Sequence, residues 1–140
     1  MKQIPETENA LILRTDFSDQ PAWEAICRII RNPGGIFRFR ANVNFVEDVE
    51  YAGISRAQLL ELIPRDYSHT FIIVADRNAM SLPEHPLLVV DLYEGSGREF
   101  RAVPSEIQGI ENNLSIANMD FAEFADSVDK DGIFRGFRKR

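Results

Sequence analysis

The sequence predicts a single α/β domain, with a mostly parallel sheet of about five strands, an antiparallel C-terminal hairpin and about three helices. Two observations carry this expectation. Strand-length apolar or alternating runs recur along the chain, and stripes with helical spacing lie between the first of them. The chain also has 140 residues, of which 44% are hydrophobic and 27% charged, enough for one self-sufficient core.

The elements follow in order. Residues 1–8 are polar, carry Pro5 and read as a loose lead-in. Residues 9–16 form an apolar run of strand length. From Ser18 the period changes, and Trp23, Ile26, Cys27 and Ile30 make one helical stripe. Ser18 or Asp19 can cap its start, Pro21 suits the first turn, and the Asn-Pro-Gly-Gly at 32–35 stops it.

Residues 37–45 alternate. Phe37, Phe39, Ala41, Val43 and Phe45 point one way, while Arg38, Arg40, Asn42 and Asn44 point the other. A polar row of this kind requires a strand at the sheet edge, or a face that meets something polar. Ser55 and Gln58 match a capping box, with Ile54 and Leu59 at the staple positions. Leu59, Leu60, Leu62 and Ile63 supply the buried side of that helix, and Pro64 ends it.

Residues 70–76 and 87–93 are dense in β-branched and apolar types, which suits strands covered on both faces. The Gly-Ser-Gly turn at 95–97 joins the second of these to residues 99–103 as a hairpin. Residues 105–114 are ambiguous, because Gly109 and the two asparagines after Glu111 weaken a helical stripe. Asp120 opens a short helix that stops near Gly132, and the end, residues 134–140, is aromatic and basic.

Composition excludes several function classes. The longest apolar stretches, at 71–75 and 87–90, fall far short of the ~20 residues of a spanning helix, so no membrane partner is expected. The first residues lack the apolar core of a secretory signal. A single cysteine allows no internal disulfide, and a reducing cytoplasm is the expectation. With 16 Lys plus Arg against 22 Asp plus Glu the net charge is −6, which argues against a general nucleic-acid binder. That total conceals a division: residues 129–140 carry +3 and the rest −9. The basic, aromatic tail can fold back on the acidic body or meet a second copy, so self-association is possible.

Ligands of open α/β sheets bind beyond the carboxyl ends of parallel strands. Asp16, Glu47, Asp48 and Asp76 follow predicted strands there, with Asp19 close by. Converging carboxylates could hold a divalent ion or share a proton, whereas the plainer reading is helix capping and strand ends. Glu111 and Asn112 are candidates to join that rim, although asparagines in such a run also bond backbone groups in turns. Arg38, Arg40, Asn42 and Asn44 form a second candidate surface for an anion or a partner's carboxylates; its plainer reading is a solvated edge. Cys27 lies on the apolar stripe and reads as an inert core thiol. His69 and His85 lack metal-ligand spacing, residues 129–132 match only half of a calcium loop, and residues 95–97 link strands instead of opening a helix. No catalytic signature and no cofactor motif is present.

The run Leu13-Arg14-Thr15-Asp16-Phe17-Ser18-Asp19 with Trp23-Glu24, then Phe45-Val46-Glu47-Asp48, resembles the opening of a family of small uncharacterised bacterial proteins. The stretches at 84–92, at 103–106 and above all at 110–121 (Ile-Glu-Asn-Asn-Leu-Ser-Ile-Ala-Asn-Met-Asp-Phe) look like the same family. The likeness spans about residues 9–137 of one domain, leaving 138–140 as a basic end. It implies a bacterial origin and a single intact domain of unknown function, with no catalytic residues to carry over. The expectation is therefore a cytoplasmic, non-enzymatic interaction or binding domain with an unknown protein partner. The rival is a small enzyme or ligand binder using Asp16, Asp48 and Asp76, with Glu111 and Asn112, around a divalent ion.

Overall fold

The computed structural model describes residues 1–32 and 41–137. Among the described residues six strands form one sheet: β1 (Ala10–Arg14), β2 (Val43–Val46), β3 (Phe71–Ala75), β4 (Leu87–Asp91), β5 (Glu99–Ala102) and β6 (Ile133–Phe134). Their spatial order is β2-β1-β3-β4-β5-β6. β1 pairs parallel with β2 and β3, β4 is antiparallel to both β3 and β5, and β6 is parallel to β5. One strand, β4, therefore runs against the other described strands. The predicted hairpin is present as β4–β5, but it lies inside the sheet because β6 extends beyond it.

Alternation along the strands divides the core into two layers. Ala10 and Ile12 of β1, Phe71 and Ile73 of β3, and Leu87 and Val89 of β4 face one cluster. Leu11 and Leu13, Ile72 and Val74, and Leu88 and Val90 face the other. Helix α1 (Gln20–Arg31) buries its Trp23, Ile26, Cys27 and Ile30 stripe in the first layer. Its start is fixed by Asp19, whose Oδ1 accepts the Ala22 N–H at 3.0 Å, and Arg28 and Arg31 complement the dipole at its end. Helix α2 (Arg56–Glu61) covers the second layer through Leu59 and begins with the Ser55–Gln58 capping box. Helices α3 (Arg77–Ser81), α4 (Ile107–Ser115) and α5 (Phe121–Ala125) complete the set.

Several details depart from the sequence expectations. The strand predicted over residues 37–45 is observed as β2; its first part, with Arg38 and Arg40, lies outside the described residues. β2 does occupy an edge of the sheet, as its polar row requires. Residues 1–8 form no helix or strand, yet Ile4 is 1% exposed in the second layer. Its N–H donates to the Leu62 carbonyl at 2.8 Å, and the Tyr51 hydroxyl donates to the Gln3 carbonyl at 2.8 Å. One isoleucine among polar residues leaves no periodic signal, so the lead-in looks loose in sequence and packs in three dimensions. Phe134, expected in a sticky tail, is core, with Phe100 and Phe124 against its ring. Two-residue β6 is too short to show a period.

Candidate functional site: a carboxylate rim and an apolar cleft

The parallel set β1, β2 and β3 brings its carboxyl ends to one side of the sheet, where Asp16, Glu47, Asp48 and Asp76 follow. Each has a partner of its own. Asp16 Oδ1 accepts the Ser18 N–H at 2.9 Å and the Ser18 hydroxyl at 2.5 Å. The Ser18 hydroxyl is the main force holding this carboxyl below its ordinary value, with Arg77 and Arg14 helping. Asp48 accepts the Glu50 N–H and pairs with Lys2 at 2.5 Å, and the Lys2 hydrogen bond lowers its pKa. Asp76 caps α3 through the Ala79 N–H and takes Arg101 with both oxygens, at 2.9 and 2.7 Å. Asp19 caps α1. Glu47, half exposed, reaches only Arg14 Nη1, at 3.3 Å, among the described residues. Among the described residues, no group of three or more His, Cys, Asp or Glu is arranged to hold a metal ion.

Glu111 does not join this rim. It is 4% exposed on α4, and its Oε1 accepts the Asn42 N–H at 2.6 Å, tying α4 to the chain entering β2. Asn112 beside it is exposed. Asn44 Oδ1 accepts the Asn9 N–H at 2.9 Å and so holds the start of β1. Sequence reasoning passed over Arg14, which is 2% exposed. Its guanidinium lies 4.5 Å from the Phe17 ring centre and 5.2 Å from that of Trp23. Nε donates to the Asp16 carbonyl and Nη1 to Gln20, while Nη2 has no hydrogen-bond partner among the described residues. The signal was available: Arg14 stands where the Ala10, Ile12 alternation calls for an apolar residue.

These carboxylates give the fold a directional response to acid. The folded pKa values of Asp16, Asp48, Glu84 and Asp131 lie below their ordinary values. For the last two the first cause is the hydrogen bond from Arg135. The stability these groups contribute is present above the unfolded carboxylate range and is lost as pH falls through the folded values. Urea unfolding is expected to show stability declining once the pH drops below about 4. Unchanged stability down to pH about 3 would contradict these pairings.

A cleft opens at the opposite end of the sheet. It lies where β3 begins and β4 ends, against the α4–α5 connection, and encloses about 490 Å³. Phe71, Leu114, Met119 and Phe121 supply apolar wall. The Leu87, Val89 row of β4 continues into this cleft as Asp91, which is 9% exposed. Its Oδ1 accepts the Tyr93 N–H at 3.0 Å; its Oδ2 is engaged by no hydrogen bond among the described residues. Arg98 also lines the cleft, but its guanidinium is paired with Asp126 at 3.1 Å. Asp120 adds a second acid to the wall. Tyr93 and Ile116, the latter next in sequence to lining Ala117, are 60% and 64% exposed.

The asparagine-rich run builds this wall. Asn113 Nδ2 donates to the Gly109 carbonyl, and its Oδ1 accepts Asn118 Nδ2 at 2.8 Å. The Asn118 and Met119 N–H groups both donate to the Asn113 carbonyl. Ala117 sits at φ +55°, a left-handed conformation uncommon for a residue with a Cβ. Outside the cleft, Cys27 is buried and burial pushes its thiol up to about 11, which makes it a poor nucleophile. His69 and His85 bond the Thr7 and Ala79 carbonyls.

Residues 9–137 match the family described as "Domain of unknown function (DUF6924)". The chain belongs to this family. The match takes in every strand and helix of the DUF6924 domain, together with the rim and the cleft. A comparison with curated proteins finds no match. No helix among the described residues is long and apolar enough to cross a membrane.

Proposed function

We propose that this chain is a non-enzymatic binding domain that docks a segment of a partner protein in the cleft beside the α4–α5 connection. The segment would present an apolar side chain next to a lysine or arginine. One observation carries the reading: an apolar cavity holds a carboxylate, Asp91, that is 9% exposed and has one oxygen unengaged among the described residues. A poorly solvated carboxylate favours a ligand that brings a charged donor. Arg98 does not fill that role, since Asp126 takes its charge, and Asp120 adds more negative potential. The −9 of residues 1–128 steers the same class of partner toward the domain. Exposed Tyr93 and Ile116 offer anchors of the kind that dominate protein interfaces. We place the domain in a reducing cytoplasm as part of the same reading, supported by its single buried thiol.

Calorimetric titration tests it with two tetrapeptide amides, one alternating lysine and leucine, the other glutamate and leucine. The lysine peptide is expected to bind saturably, to weaken as salt rises, and to lose at least about tenfold in affinity in Asp91→Asn. Equal binding of both peptides, an unaffected Asp91→Asn variant, or no saturable binding would each overturn the proposal.

A further inference from the structure

A second cavity, of about 280 Å³, lies on the α2 side of the sheet across β3, β4 and β5, with Thr15 and Asp76 at one end of it. Thr15, Ser55, Arg56, Asp76, Glu99 and Arg101 line it. Its two acids and two arginines balance in charge, but their hydrogen-bonding capacity does not balance.

Three of the four carboxylate oxygens are taken among the described residues. Asp76 Oδ1 accepts both the Ala79 N–H and Arg101 Nη1, and Oδ2 accepts Arg101 Nη2. Glu99 takes Arg56 Nε at 2.6 Å. Donors remain on the other side of the count. Arg101 gives its second Nη1 bond to the Pro86 carbonyl at 2.9 Å, and its Nε has no partner among the described residues. Arg56 gives one Nη2 bond to the Gly97 carbonyl, and its Nη1 has no partner among the described residues. The Ser55 Oγ accepts the Gln58 N–H and keeps its own proton to give. Thr15 is 5% exposed, its backbone bonds Ala75 and Gly53, and its hydroxyl is unpaired among the described residues. Thr15 lines the cavity, so this hydroxyl has a proton to give there.

From this surplus we infer that the cavity is a binding site for a small oxyanion, a phosphate or a carboxylate. The ligand must bring acceptors, since the cavity presents donors from four side chains and its own carboxylate oxygens are largely taken. Arginine is the side chain suited to such a ligand, and Asp76 fixes the Arg101 fork in place from behind. The Thr15 and Asp76 end of the cavity follows the carboxyl ends of β1 and β3, where ligands of open α/β sheets bind. This site is separate from the cleft, on the other face of the sheet, and stands or falls independently of it.

The test is a titration of the full chain with sodium phosphate and, separately, sodium acetate at constant ionic strength. Binding is followed by calorimetry and by ¹H–¹⁵N spectra. At least one oxyanion is expected to bind saturably and to move the Thr15, Ser55 and Arg101 amides. Phosphate alone would mark a tetrahedral ligand and acetate alone a carboxylate; either supports the inference. Thr15→Val, which keeps the shape and removes the hydroxyl, is expected to weaken binding at least about fivefold. Arg56→Gln serves as the second variant, and decides the matter if Thr15→Val fails to fold. No saturable binding of either anion overturns the inference, and so does wild-type affinity in both variants.

Discussion

Phe124→Ala is expected to lower the stability of the domain by about 3–5 kcal/mol, the cost of truncating a buried phenylalanine without collapse of its site. Phe124 is 1% exposed at the centre of an aromatic cluster. It lies 6.3 Å from Phe100 in a stacked arrangement, 5.4 Å from Phe134 and 5.5 Å from Phe137 between ring centres. Phe134 belongs to two-residue β6, so this cluster adds side-chain packing to the backbone pairing of β6 with β5. Urea unfolding followed by circular dichroism measures the loss. A destabilisation under about 1 kcal/mol would mean that the cluster is not a packed core. The ion pairs of Arg135 with Glu84, Asp129 and Asp131 close the same segment on the outside. They are exposed or only partly buried and secondary to the rings.

Asp76→Ala is expected to cost about 2–3 kcal/mol, from two sources that arise at one side chain. The first is the α3 cap, about 1 kcal/mol for loss of the bond to the Ala79 N–H. The second is Arg101, left without its carboxylate while its side chain is only 22% exposed. Its remaining exposure and its bond to the Pro86 carbonyl keep this below the roughly 3–5 kcal/mol of a fully buried broken pair. Combining Asp76→Ala with Arg101→Met is expected to recover part of the loss, because the stranded charge disappears with its partner. Equal unfolding midpoints for Asp76→Ala and the unaltered chain would refute the structural role given to this aspartate.

Local features were legible in the sequence because they depend on local chemistry. Asp19 and Ser55 cap the helices they were expected to cap, and Trp23, Ile26, Cys27 and Ile30 bury as one stripe. The apolar runs at 71–75 and 87–91 are central strands covered on both faces. Strand direction was not legible, since an apolar run reads the same in either sense; β4 is therefore antiparallel to β3 as well as to β5. The rim carboxylates were harder for a related reason. An aspartate after a strand has the same local pattern whether it caps, pairs or binds. What decides Asp76 is Arg101, and what decides Glu111 is the Asn42 backbone, partners far away in the chain. Asp91 was hidden inside a strand run, and its significance comes from the cleft that the α4–α5 connection builds over it.

The binding cleft is tested most directly by ¹H–¹⁵N spectra of the full chain titrated with the lysine–leucine peptide. The perturbed amides are expected to cluster at Thr70, Asp91, Tyr93 and residues 117–122, with Thr15 and Ser55 unmoved. Saturable shifts centred on the rim or on β2, or no saturable shifts at all, would contradict a binding site in the cleft.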